Sequence, residues 1–162
     1  MTEHENPDEK DERLMREALA LAREAGSLGE VPIGAVVVYE DEIVGRGFNR
    51  REIDADPSAH AEFLAMKQAS KKLGRWRLSG CTVYVTLEPC AMCAGLMVNA
   101  RIDRCVYGAS DPKGGALGTL YDLSDDERLN HTFECTPGPL AQECGSLLSD
   151  FFQNLRNQRK RP

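Results

Sequence analysis

Apolar positions along the chain change their spacing several times, and each change marks an element. Leu14, Met15, Ala18, Leu19, Ala22 and Ala25 recur three or four apart and stop at Gly26, which predicts an amphipathic helix. The apolar run "IGAVVVY" (33–39), the turn "EDE" (40–42) and "IVGRGF" (43–48) predict a β-hairpin. A polar loop, "NRREIDADPS", follows. Helical spacing returns at Leu64, Met66, Ala69 and Leu73, predicting a helix from near Ser58 to Leu73. "CTVYVT" (81–86) predicts a third strand. Pro89 is suited to open the next helix, which ends near Ala100, because a first helical turn has no use for the missing N–H. "RCVYG" (104–108) predicts a fourth strand, "HTFECT" (131–136) a fifth, and "PLAQECGSLLSDFFQNLR" (139–156) a last amphipathic helix. Strands alternating with helices predict a three-layer α/β/α domain.

Composition narrows the class without changing this picture. A chain of 162 residues with 41% hydrophobic and 28% charged residues is sized for one cored domain. The longest apolar run is too short to span a bilayer. The opening residues, "MTEHENPDEKDE", are acidic rather than basic and apolar, so they do not read as a targeting segment, and the cytoplasm is the expected location. Residues 1–8 have no apolar period and are expected to be disordered.

Charge modifies the expectation about partners. The net charge is −6, but the first twelve residues hold six acids against one lysine. The remainder is nearly neutral, with basic residues at Lys67, Lys71, Lys72, Arg75 and Arg77 and again in the tail "RNQRKRP". Two basic patches on a near-neutral body can bind a polyanion locally, although charge alone favours a solubilising face and a solvated tail.

The chemistry concentrates in "VTLEPCAMCAG" and "SAHAE". Cys90 and Cys93 stand three apart at a helix start, where the partial positive charge of the helix end favours thiolates. Taken alone they fit a redox pair, half of a structural zinc site, part of a catalytic one, or small core residues. His60 sits at another predicted helix start and can add a third ligand. A closed structural zinc site takes four ligands, whereas three leave a position for water, whose pKa zinc lowers to about 7. Glu62, two residues after His60, can then move protons without binding the metal. Cys81, Cys105, Cys135 and Cys144 are isolated and match no such pattern. H-x-E followed by P-C-x-x-C is an established signature of the zinc deaminases.

The wider sequence resembles the bacterial tRNA-specific adenosine deaminases of the cytidine deaminase-like superfamily. The resemblance runs from about Met15 to Arg156 and rests on "EVPIGAV", "GFNR", "HAE", "TLEPCAMCAGLM", "NARI", "GASDPKGGALG" and "LLSDFFQNLR". It implies a five-stranded mixed sheet between helices, a homodimer, and deamination of the wobble adenosine of a tRNA anticodon to inosine. It implies one zinc per chain on His60, Cys90 and Cys93, with Glu62 as proton shuttle. It further implies that Asn49 binds the flipped-out base, and that Asp111, Lys113, Phe152 and Arg156 contact the anticodon stem-loop. Of the adjacent Phe151 and Phe152, one is expected to face inward. The division that follows is an acidic extension at 1–8, a zinc deaminase domain at 9–156 and a basic tail at 157–162. A small-molecule deaminase acting on guanine, cytosine or cytidine, and a zinc-stabilised binding module without activity, are the alternatives.

Overall fold

The structure is a computed structural model that describes residues 4–160. Its sheet has five strands: β1 (Gly34–Tyr39), β2 (Glu42–Phe48), β3 (Cys81–Leu87), β4 (Arg104–Ala109) and β5 (Glu134–Pro137). Their order is β2-β1-β3-β4-β5. The β1–β2 and β1–β3 pairs are antiparallel, and β3–β4 and β4–β5 are parallel. The mixed sheet expected from the sequence is thus present.

Four helices complete the layers: α1 (Pro7–Ser27), α2 (Ala61–Leu73), α3 (Ala91–Ala100) and α4 (Ala141–Arg159). Successive strand residues face opposite sides. Ala35, Val37, Val83, Val85, Cys105 and Tyr107 pack with α2 and α3, while Val36, Val38, Tyr84 and Val106 pack with α1 and Cys144 of α4. Both faces are buried, which is why β1 reads as an unbroken apolar run rather than an alternating one.

Helix boundaries depart from the expectations, each for a local reason. α1 begins at Pro7 rather than after residue 8, because Asn6 and Glu9 form a reciprocal capping box. Asp11, within the acidic stretch, is buried, accepts from Tyr84 Oη at 2.7 Å and pairs with Arg104 at 2.6 Å. α2 begins at Ala61, not Ser58; the Ser58 N–H is instead turned to Asp56 Oδ1. Pro89 precedes the α3 cap instead of opening the helix, since Cys90 is extended (φ −76°, ψ 175°) and itself occupies the cap. β5 is shorter than "HTFECT", and His131 Nε2 lies 2.6 Å from the Ile102 carbonyl oxygen ahead of it. α4 extends to Arg159, so the first residues of the expected tail are helical.

Glycines in β2 set the height of α2 over the sheet. A Cβ at Gly45 would fall 2.1 Å from the Ala65 carbonyl oxygen, and one at Gly47 would fall 2.4 Å from that of Ala61. With no side chain there, the first turns of α2 lie directly on the strand. That places His60 and Glu62 opposite the C-terminal end of β3, where α3 begins.

Candidate metal centre

His60 caps α2 and Cys90 caps α3, and neither cap has a side-chain hydrogen bond to its own helix. Both side chains turn to a common point instead. His60 Nδ1 lies 3.6 Å from Cys90 Sγ and 3.6 Å from Cys93 Sγ. The ligand atoms of all three lie within 4.8 Å of one another, the one group of this kind among the described residues. Zinc bonds of ~2.3 Å to sulfur and ~2.0 Å to nitrogen in a tetrahedron imply N···S edges of about 3.5 Å. The two His60–sulfur distances match such an ion.

Electrostatics suit a cation as well. A hydrogen bond from Cys93, and a second interaction with His60, draw the Cys90 thiol down to about 4. The same Cys90–Cys93 contact, with burial, raises the Cys93 thiol. Both sulfurs lie at the start of α3, where the helix end favours an anion. His60 is shifted up, chiefly by its contact with Cys90. Glu62 is 4% exposed, and burial pushes its carboxyl from 4.5 up to about 7.

His60, Glu62 and Cys90 form the floor of a cavity of about 250 Å³, also lined by Val31, Ile33, Asn49 and Leu87, with Cys93 fully buried next to them. Its mouth shares Val31, Leu87, Asp111 and Phe152 with a surface groove of about 860 Å³ that runs between the 109–113 segment and α4.

Comparison with known proteins gives one answer from three directions. The MafB19-like deaminase family matches residues 9–156. The tRNA-specific adenosine deaminase of Bacillus subtilis (strain 168) is 52% identical over 151 residues, covering 93% of this chain and 94% of that protein. That of Haemophilus influenzae is 49% identical, covering 94% and 88%. This chain belongs to the tRNA-specific adenosine deaminase family. A structure from a study of tRNA:A34 deaminases, which act at the wobble position, superposes with a TM-score of 0.81 at 41% identity and covers 84% of this chain and 99% of the other. A guanine deaminase from Nitrosomonas europaea is more distant, with a TM-score of 0.71 at 25% identity, covering 91% and 85%.

The remaining residues carried over from the tRNA-specific adenosine deaminases fall at the mouth. Asn49 is buried in the cavity wall, with Oδ1 accepting from the Arg51 N–H at 3.1 Å and Nδ2 donating to the Val31 carbonyl at 3.3 Å. One amide N–H and one oxygen lone pair stay free for a base. Asp111 lines both the cavity and the groove, whereas Lys113 and Arg156 line the groove alone of these two. Phe152 is 40% exposed at the junction; Phe151 is half-buried against it, edge to face, at 5.5 Å between ring centroids. The 67–77 basic stretch is not at the mouth. Lys67 and Lys71 border a separate groove with Trp76, and Arg75 stacks on Tyr39. Among the described residues no helix is long and apolar enough to cross a membrane.

Three wall residues escaped the sequence reading: Glu30, Arg51 and Glu88. Glu88 stood inside "LEPC", where only the proline and cysteine carried a recognised chemical role. Glu30 stood inside "EVPIGAV", and a glutamate beside apolar residues was the available signal.

Proposed function

We propose that this chain hydrolyses the wobble adenosine of a tRNA anticodon to inosine, with one zinc ion per chain. The observation that carries the proposal is the convergence of His60, Cys90 and Cys93 at 3.6 Å on the floor of a cavity that opens onto an extended groove. One imidazole and two thiolates favour zinc, and three protein ligands leave a coordination position open. His60 Nδ1 and the sulfurs of Cys90 and Cys93 would hold the ion, which supplies the Lewis acidity that makes a water nucleophilic near neutral pH.

The residues of the chain do the rest. Asn49 holds the flipped adenine by its free amide groups. Glu62 accepts the proton of the attacking water and hands it to ring N1. It then takes the remaining proton from the attacking oxygen, which becomes the C6 carbonyl, and delivers it to the departing amine, so that adenosine and water give inosine and ammonia. A carboxyl titrating at about 7 exchanges protons readily in both directions, and a cation in the cluster would lower that value. Outside the cavity, Phe152 stacks on a neighbouring nucleotide and Asp111, Lys113 and Arg156 hold the anticodon loop. We assign the working form as a homodimer and its location as the cytoplasm, on the family resemblance and the tRNA substrate; light scattering tests the former.

The test is incubation of purified protein with a synthetic anticodon stem-loop, followed by mass spectrometry for inosine. Free adenosine, guanine and cytidine form the parallel arms. Inosine from the stem-loop alone is expected. Turnover of guanine or cytidine in its place overturns the tRNA reading in favour of a small-molecule deaminase. Zinc without any turnover leaves the binding module.

A further inference from the structure

Glu88 lies between the end of β3 and the Pro89–Cys90 turn that starts the metal-binding cluster. It is 2% exposed, and it is surrounded by donors from a single loop. Oε1 accepts the Asp111 N–H at 3.1 Å and the Thr119 hydroxyl; Oε2 accepts the N–H groups of Leu117 and Thr119, each at 3.1 Å. A carboxylate offers about four lone-pair sites, and all are taken. Two main-chain bonds run alongside, Glu88 N–H to the Ala109 carbonyl at 2.8 Å and Ala116 N–H to the Pro89 carbonyl at 2.9 Å. From the loop side Gly115 comes so close that a Cβ there would lie 2.4 Å from the carboxylate.

Three of the four donors are backbone N–H groups, so both oxygens must act as acceptors. A glutamine has the right shape, but in either orientation its NH₂ would face at least one backbone N–H, which only donates. The start of the loop is also tied together, because Asp111 Oδ1 accepts the N–H groups of Lys113 and Gly114. Where the Asp111 N–H is held, Lys113 is held with it.

We infer that Glu88 is a positioning residue, whose carboxylate fixes the 111–119 loop over the His60–Cys90–Cys93 cluster so that Asp111 and Lys113 meet the nucleotides flanking the reacting base. The inference rests on the tRNA reading above. Glu88 does not touch the substrate; it ties RNA recognition to the same turn that carries Cys90, so that both share one frame.

The experiment measures stem-loop KM and kcat, zinc content and backbone amide exchange for wild type, Glu88→Gln, Gly115→Ala and the double variant Glu88→Ala/Gly115→Ala. Glu88→Gln is expected to raise KM about tenfold, to lower kcat by less, to keep zinc, and to speed exchange at Leu117 and Thr119. Gly115→Ala is expected to do the same from the other side. The double variant fills the space but offers no acceptor, so KM is expected to stay raised. Wild-type KM in the double variant overturns the inference, because Glu88 would then only fill space. A Glu88→Gln loss confined to kcat overturns it too. If Glu88→Gln does not fold, Thr119→Val removes one donor of the four, and a rise in KM of about threefold with kcat held is expected; an unchanged KM overturns the inference. If wild type makes inosine while no variant changes KM, this inference fails alone. If wild type makes none, the tRNA reading fails and takes the inference with it.

Discussion

The floor and the mouth of the cavity are built on different principles. On the floor, His60, Glu62, Cys90 and Cys93 come from two helix starts, and each is within three residues of another. The mouth is assembled from the 29–31, 49–53 and 109–119 segments and from α4, and buried glutamates hold two of those loops. Those two glutamates differ from each other as well. Glu88 has donors on both oxygens. Glu30, 1% exposed, accepts the N–H groups of Glu52 and Ile53 on Oε1 at 2.8 and 3.0 Å, and its Oε2 is buried without a partner among the described residues. Under the proposed function the floor serves chemistry and metal and the mouth serves grip on the polymer, and within the mouth one anchor has donors on both oxygens and the other on one.

The strongest way to break this division is at Glu62. Glu62→Ala is expected to lower the rate of inosine formation by about 10²–10⁴ while keeping zinc and changing stem-loop affinity little. Stoichiometric loss of zinc from this variant would make Glu62 a ligand and merge it with the metal cluster.

A pH series on the metal-free protein sharpens the floor itself. Burial raises Glu62 from 4.5 to about 7, so the folded state holds a proton that the unfolded chain has released. The stability this contributes is full below about 4.5 and is lost as pH rises through 7. Cys90, drawn down to about 4, acts in the opposite sense. The Glu62 contribution is therefore read as the difference between wild type and Glu62→Gln in urea unfolding. That difference is expected to change by roughly 2–3 kcal/mol between pH 5 and pH 8, at about 1.4 kcal/mol per unit of pKa.

Effects at the mouth are smaller and fall on affinity. Arg156→Ala is expected to weaken stem-loop binding about fivefold and to reduce the salt slope by about 0.7, the value for one phosphate contact on a single strand. Adding Arg159→Ala and Lys160→Ala, with Arg161→Ala outside the described residues, is expected to add less. Wild-type affinity and slope in the combined variant would reduce α4 to a solvated helix end.

The least effect is expected at Glu30→Gln. Its amide oxygen can keep both N–H groups, and stability should change by less than about 1 kcal/mol, whereas Glu30→Ala strands two donors at about 1–3 kcal/mol each. Equal losses for Glu30→Gln and Glu88→Gln in the same unfolding assay would erase the distinction between the two anchors.

Reading the sequence recovered the floor because its chemistry is compressed into two short motifs. The strands and their layering were also readable, since apolar periods survive wherever one or both faces are covered. The mouth was less accessible: Glu30 and Glu88 find their donors 22 to 31 residues away, and no local pattern announces such a pairing. The early start of α1 was a different kind of miss. Asn6 and Glu9 have the spacing of a capping box, a local signal that the acidity and missing apolar period of the surrounding residues outweigh in the sequence. The burial of Asp11 against Arg104 shows why such a stretch orders: one acid in it has a partner across the sheet.

The two helix caps have a consequence in time. His60 and Cys90 are thirty positions apart, and only the close seating of α2 on Gly45 and Gly47, with β3 already paired to β1, brings them to 3.6 Å. A strand pairing and a helix docking must come together before the three ligands meet, so under the proposed function an ion would meet an almost finished protein. Refolding in the presence of a chelator should proceed at its usual rate, with the ion acting afterwards on the rate of unfolding.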